Sequence, residues 1–436
     1  MRAGPEPAPP TAVGTGLPWD VPVEDAVAAI AAARQRHGDE FVVESGTDRY
    51  LFTFSPGGVD AFYRLPEERA SKGVADFLML RRKLPEEIFD GRRTLPGALF
   101  RRDDVASYLA NLEEALDLTV AELGTAGSVD VFGLARRLAH RMGLASWAGP
   151  GAADGPTFER LVRAFDTLDG AEAFVHPDRM AAVAASGGAA ERAALADIVD
   201  VVAARVRVED HGLFSRIAAE WAGAEPGIAS RGIAYDVALI HVASMSNLAA
   251  ALGWTLVDLL AHPAEAARVR AGDQDLARRA ALESTRLAQR SIMSRAVLAP
   301  VDLATGEVTY RVPPGWTIAT LLPLLNTSAA PGLQRWDPDR WTGHRLAGHA
   351  GLAAPVLVTA FGHGRHTCPA QSFSLAAMTT AATRLLIEFD LTPRWSGHPR
   401  PVQAQIGGVA RAAEPCPANY VRIEPAGRAT EVTVAP

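Results

Sequence analysis

The chain has 436 residues, 48% of them hydrophobic and 21% charged, a globular composition long enough to bury a large core. Forty-three basic against 50 acidic residues give a formal charge of −7, which argues against nucleic acid as a partner. Two cysteines, Cys368 and Cys416, exclude a disulfide framework; with no CxxC or CxxCH spacing, they also argue against a zinc cluster or a c-type haem attachment.

Residues 1 to about 18 are rich in proline and glycine, lack the apolar core of a signal peptide, and read as a flexible leader ahead of one domain, 19–436. VEDAVAAIAAARQRHG predicts an amphipathic helix closed by Gly38. EFVVES and RYLFTFS predict strands, followed by a break at Pro56-Gly57-Gly58. From about 103 to 290 apolar residues recur three and four apart, in segments such as DVFGLARRLAHRMGLASWA and PTFERLVRAFDTL, with a long helix over roughly 230 to 260 and another from Asp273 to Gln289. Short strand signals return at GEVTYRV and near the C-terminus. The longest apolar run, NLAAALGWTLVDLLA, carries Asp258 and falls short of a bilayer span, so no membrane association is expected and a cytoplasmic monomer is. With no solenoid repeat and no linker, the expected fold is mainly α, a single large domain with a small β region. Lys72 and Lys83 are the only lysines; with abundant Ala, Gly and Pro this points to a GC-rich, actinobacterial genome.

Chemistry concentrates in FGHGRHTCPAQSFSLAAM, residues 361–378. Cys368 follows a glycine-containing loop and precedes Pro369, a residue suited to the first position of a helix. A helix N-terminus supplies free N–H groups and a positive dipole end, which stabilise a thiolate and make it a metal ligand. Gly362 and Gly364 let backbone N–H groups approach the sulfur, and Phe361 can wall it. A cysteine simply packed at a helix start is the plain alternative. A zinc site from His363, His366 and Cys368 would need a fourth ligand and a spacing that common zinc modules do not use.

FGHGRHTC resembles the haem-ligand loop of the cytochrome P-450 family, FxxGxxxC, with Phe361, Gly364, His366 and Cys368 on its positions. The resemblance implies haem b with Cys368 as axial thiolate and His366 on a haem propionate. Ala370 stands where the family usually has Gly. Glu283-Ser284-Thr285-Arg286 resembles the family's ExxR helix, and Trp336-Asp337-Pro338-Asp339-Arg340-Trp341 the segment whose Arg completes a Glu283–Arg286–Arg340 triad behind the haem. Arg295, in SIMSRAV, and Arg93 are further propionate candidates. The tail QIGGVARAAEPCPANYVRIEP is similar to the C-terminal hairpin of bacterial members near the sterol-demethylase branch, which makes Cys416 structural. The motifs cover about residue 24 to the end.

On the distal side the family's central helix carries Ala/Gly-Gly-x-Asp/Glu-Thr, which admits oxygen and delivers protons. Anchored on Trp254-Thr255-Leu256, the matching residues here are Ala243, Ser244, Met245, Ser246 and Asn247. Ser244 replaces the glycine, Ser246 the acid and Asn247 the threonine. Such residues can hydrogen-bond back to their own helix and do nothing more. Three of them within an apolar helix suggest instead a cavity, with Asn247, Ser246 or Ser244 taking part in the reaction. The resemblance implies an oxidoreductase, monooxygenase-like, acting on a small organic molecule; the actinobacterial composition and the altered distal residues favour a tailoring step of secondary metabolism such as antibiotic biosynthesis. Nitrene transfer from an N–O substrate, nitration with NO and oxidative radical coupling are alternatives, and a haem sensor without turnover a remote one. No dinucleotide fingerprint or iron–sulfur spacing is present, so electrons are expected from a separate ferredoxin and its reductase, docking near Arg92, Arg93, Arg101, Arg102, Arg335 and Arg365. Phe77, Met79, Leu80, Phe165, Phe174 and Met293 predict an apolar or aromatic substrate.

Overall fold

The computed structural model describes residues 8–91, 104–149, 151–170, 175–205, 212–306, 308–342 and 351–423. Helix α1 (Ala26–His37) starts where the Asp25 carboxylate accepts from Ala28 N–H and ends at Gly38, whose φ of +90° a side chain would disfavour. Strands β1 (Glu40–Ser45) and β2 (Asp48–Thr53) form a hairpin with Val43 opposite Tyr50. Residues 8–18, expected as leader, do not hang free. Thr11 bridges to Val42, and Ala12 and Leu17 are buried. The Pro56-Gly57-Gly58 break is the start of α2 (Pro56–Arg64): Pro56 needs no N–H partner at the first position, and Ser55 accepts from Gly58 N–H. Then come β3 (Ala70–Ser71) and α3 (Lys72–Leu80), capped by Ser71.

The helical region matches its periodicity: α4 (Val105–Leu123), α5 (Val131–Trp147), α6 (Gly155–Asp169), α7 (Pro177–Ala185), α8 (Ala189–Arg205) and α9 (Leu213–Glu220), with β4 (Ala126–Asp130) between α4 and α5. The central helix α10 (Pro226–Ala261) packs against α5, α8 and the later helices α12 (Gln274–Ala288) and α14 (Gln371–Glu388), after the short α11 (Pro263–Arg270). By length and composition α10 could cross a membrane, contrary to the expectation from the apolar run alone. Most of its apolar stretch is buried inside the protein, and it carries two buried carboxylates, Asp236 accepting from Trp221 and Asp258 pairing with His398.

The β region closes one side. Strands β5 (Ile292–Val297) and β8 (Thr317–Leu321) extend the hairpin into a sheet of order β1-β2-β8-β5-β3, parallel only between β2 and β8. Met293 and Arg295, two apart on β5, emerge on one face. A side hairpin pairs β6 (Val301–Ala304) with β7 (Thr309–Val312). The C-terminal strands β9 (Phe389–Pro393) and β10 (Pro417–Arg422) join β4, and the short α13 (Leu322–Ser328) follows β8. Cys416 is buried beside β10, burial pushing its thiol up to about 11.

Behind the cysteine loop lies a fully buried ion pair. Arg286 Nε and Nη2 donate to the two oxygens of Glu283 at 2.8 and 2.6 Å. Glu283 also accepts from Trp341 Nε1 at 3.0 Å and Asp337 N–H at 3.2 Å, and Arg340 stands 3.3 Å from it. Arg286 donates onward to the carbonyl of Asn326, whose amide donates to Arg286 O and Thr359 O and whose oxygen accepts from Thr359 N–H. Thr359 in turn bonds Gly362 O at 3.0 Å and Phe361 N–H at 3.1 Å. The Glu283–Arg286–Arg340 triad is thus assembled, and Asn326 and Thr359 carry its geometry into the loop.

Removing one partner of this pair strands a charge in a dry interior. Glu283→Ala and Arg286→Ala are each expected to lose roughly 3–5 kcal/mol of stability, read as a lower urea midpoint at unchanged slope. Arg286→Lys should not restore it, because an ammonium cannot reproduce the two parallel bonds.

Candidate active site around Cys368

The loop closes on itself: Cys368 N–H donates to Phe361 O at 2.8 Å, His366 N–H to His363 O at 3.0 Å, and Thr367 N–H to Gly364 O at 3.2 Å. At Gly362, with φ +82°, a Cβ would strike the His366 carbonyl, so only glycine fits. Pro369 is not the first helical residue. It forms a turn with Ala370, and α14 begins at Gln371. The expected depression of the Cys368 thiol pKa is also reversed. Burial pushes it above its ordinary value, outweighing an Ala370 N–H directed at the sulfur and the Lys72 charge. Ionisation is left to metal binding, which displaces the thiol proton.

Cys368 opens on a cavity of about 450 Å³. Phe361, Pro369 and Ala370 flank the sulfur, Leu248, Ala251, Leu322 and Met378 add apolar wall, and Ala243, Ser244 and Asn247 of α10 also face in. One edge is cationic. Arg295 is 1% exposed, donates to Ala70 O at 2.7 Å and Phe62 O at 3.2 Å, and sits 2.8 Å from His366 Nε2. Among the described residues Glu67, 3.3 Å away, is its one carboxylate partner. Burial and the neighbouring Arg295 hold His366 below its ordinary pKa. Tyr63, packed edge-on to His363, has a buried hydroxyl with no hydrogen-bond partner among the described residues. Lys72 lines the cavity too, a residue marked in the sequence only as one of two lysines. A thiol at an apolar wall, with buried donors and surplus positive charge along one rim, fits an iron porphyrin with two carboxylates. Arg93, like Arg92, Arg101 and Arg102, lies outside the described residues. Arg365, grouped with the docking arginines, lines this cavity. Among the described residues no cluster suited to a metal ion forms from His, Cys, Asp and Glu, and His363 bonds Val358 O at 3.1 Å, so the zinc alternative finds no geometry.

Solved structures share this architecture almost end to end. Cyanobacterial CYP120A1 with retinoic acid bound superposes with a TM-score of 0.73 at 18% identity, covering 96% of this chain and 100% of that one. CYP175A1 from Thermus thermophilus gives 0.67 at 20%, covering 91% and 95%. The haem domain of cytochrome P450DA gives 0.69 at 19%, covering 91% and 93%. The chain has the cytochrome P450 fold. No family model matches it. Human 24-hydroxycholesterol 7-alpha-hydroxylase is 26% identical over 176 residues, so the match spans 35% of this chain and 36% of that curated relative.

Within the P450 fold the central helix opens where the sequence placed its distal residues. From Asp236 to Leu259 every α10 residue is buried except Ala243, Ser244, Ser246 and Asn247, all on the cavity side. Ser244 donates to Ile240 O, and the Asn247 amide donates to Ala243 O at 3.2 Å, so both do bond back to their helix. Asn247 Oδ1 also accepts from Val409 N–H at 2.8 Å, fastening α10 to the 405–411 loop. Ser246 points elsewhere, donating to Asp169 at the end of α6 at 3.1 Å. Asp169 also pairs with Arg411, stands 3.5 Å from Arg136 and 3.8 Å from Lys83. Burial raises its carboxyl, but those charges outweigh it and hold the group below the usual range. Burial pushes Lys83 down to about 8.

This cluster lines a second cavity of about 340 Å³. It shares Lys72, Ala243, Asn247, Ser291, Met293, Gly408 and Val409 with the first, so the two are contiguous. Met79, Leu80 and Met293 line it as expected; Phe77 stacks edge-on with Phe89, Phe165 lies against His241, and Phe174 is outside the described residues. The lining is not uniformly apolar: Lys83, Asp169 and Arg411 make one end charged. Asp169 and Arg411 gave no motif to read; Lys83 was visible only as a rare lysine.

Gly408, at φ +62°, lies against Asn247, and a Cβ there would run into Asn247 Oδ1. Gly408→Ala is expected to break the α10–loop link and add left-handed strain of roughly 1–2 kcal/mol. Adding Asn247→Ala should relieve the clash but not the strain, so the double variant should melt above Gly408→Ala and below the parent by calorimetry.

Proposed function

We propose that this protein is a haem-thiolate oxidoreductase of the cytochrome P-450 type acting on a small organic molecule. The observation that carries the reading is Cys368 at the wall of a 450 Å³ cavity faced by α10, with His366 and Lys72 in its lining and Arg295 buried behind His366. Bound haem would supply redox-active iron able to oxidise unactivated carbon. The chain would hold it by Cys368 and set Arg295, His366, Lys72 and the Tyr63 hydroxyl against its carboxylates. Phe361 would shield the sulfur from water, and Phe361 O already takes the Cys368 N–H.

For proton delivery, Ser246 and Asp169 support an oxygen-dependent reaction. The acid that the central helix lacks stands on α6, one hydrogen bond from Ser246. Asn247 is tied at both ends of its amide and serves to shape the cavity. That same tie, with no ionisable group at 247, supports the second reading: chemistry that bypasses ordinary oxygen activation, by nitrene transfer, nitration with NO or radical coupling. Separate ferredoxin and reductase partners are proposed for the first reading only. An actinobacterial tailoring role rests on the arginine-, alanine- and glycine-rich composition and the altered distal residues.

The haem-loaded protein, reduced and treated with CO, is expected to show the red-shifted Soret band of thiolate ligation, and Cys368→His to lose it while still binding haem. An unshifted band in the parent would refute the assignment. Product formed anaerobically without reductant would select the second reading. In the first, Asp169→Asn should lower turnover by roughly 10²-fold, within the range for losing a positioned acid–base group, and raise peroxide release per electron consumed.

A further inference from the structure

Arginine supplies every Lys/Arg position in the chain except two, and both lysines, Lys72 and Lys83, line the cavity beside α10. Lys72 pairs with Asp76 one turn along α3. Lys83, 7% exposed, donates to the carbonyl of Asp169 at the end of α6. Arg411 reaches the same residue from the 405–411 loop through one N–H, and a third of its side chain remains open. Among the described residues, the charged groups facing this cavity are Lys72, Lys83 and Arg411 against Asp76 and Asp169. Arg136, just behind, is shared between Asp166 and Asp169. Among the described residues positive charge therefore exceeds negative at this end of the cavity, where an anion would be stabilised.

We propose that this end of the cavity is a carboxylate subsite, and that the substrate is a small organic acid with an apolar body. The inference deepens the reading above and rests on it for the position of the reacting end. A carboxylate complements the positive charge in excess among the described residues. Arg411 presents the planar fork that a carboxylate accepts in two parallel bonds, and Lys83 adds a compact charge from the other side. Met79, Leu80, Val242, Ile292, Met293 and Ile406 form the apolar part of the lining. Ser246 faces the charged end and Asn247 faces both cavities, so a molecule anchored at Arg411 runs along α10 with its apolar end toward Cys368. Oxidation then falls on a carbon remote from the carboxylate.

The test is calorimetric titration of the full-length, haem-loaded protein with octanoate, dodecanoate, hexadecanoate and 4-phenylbutyrate, each against its methyl ester. At least one acid should bind about tenfold or more tightly than its ester, the scale of a charged hydrogen bond. That preference should fall to about twofold or less in Arg411→Gln and in Lys83→Gln, and be partly kept in Arg411→Lys. If no acid outbinds its ester in the parent, or the preference survives both glutamine variants, the cluster is only a structural clamp and the subsite is wrong. The CO spectrum separates this from the haem assignment: a subsite failure leaves the red-shifted band in place, and a haem failure removes it whatever the acids do.

Discussion

The bidentate pair between Glu283 and Arg286 is the interaction on which the site depends. Both side chains are fully buried, so neither charge has water as an alternative partner. Every oxygen and nitrogen must be met by protein, and meeting them fixes the surroundings. Trp341, Asp337 and Arg340 converge on the carboxylate, and the guanidinium holds Asn326. Asn326 is the pivot: its amide reads the backbone of α12 and of residue 359 at once. A buried ion pair is poor evidence of net stability, but it is an effective way to hold one geometry. Here the geometry held is the turn that presents Cys368.

On the other side of the cavity the constraint is of a different kind. From Asp236 to Leu259 helix α10 is packed nearly all round, and the four open residues of that stretch define where a ligand can lie. Asn247 and Gly408 hold the 405–411 loop against that opening, so the loop that carries Arg411 is positioned by an asparagine of the central helix. Residue 247 therefore couples α10 to cavity shape. The carboxylate that meets the open face of α10 is Asp169, contributed by α6 and balanced by residues from α5, the segment after α3 and the C-terminal loop.

Much of the fold was legible because its causes are local. Apolar spacing of three and four marked the helices from 103 to 290, and Gly38 closed α1 as expected. Misreadings arose where local signals were ambiguous. Pro-Gly-Gly at 56–58 reads as a break, yet proline opens a helix as readily when a serine precedes it. A proline- and glycine-rich N-terminus reads as flexible, yet residues 11–17 find a strand edge and a core to pack on. The Cys368 thiol was expected to be acidic from its place before a helix. The helix starts three residues later, and burial outweighs what dipole remains.

The sequence by itself determined the cysteine, the glycine turn before it, the Glu283–Arg286 spacing and the uncharged side chains at Ser244, Ser246 and Asn247, because each is a pattern within a few residues. Only the tertiary structure decided which charged groups meet them. Asp169, Lys83, Arg136 and Arg411 come from four separate places in the chain, and no spacing relates them. Their meeting beside Ser246 is a consequence of how the helices pack. A charge cluster drawn from distant segments leaves no periodic trace, and its electrostatics exist only once water has been excluded from around it.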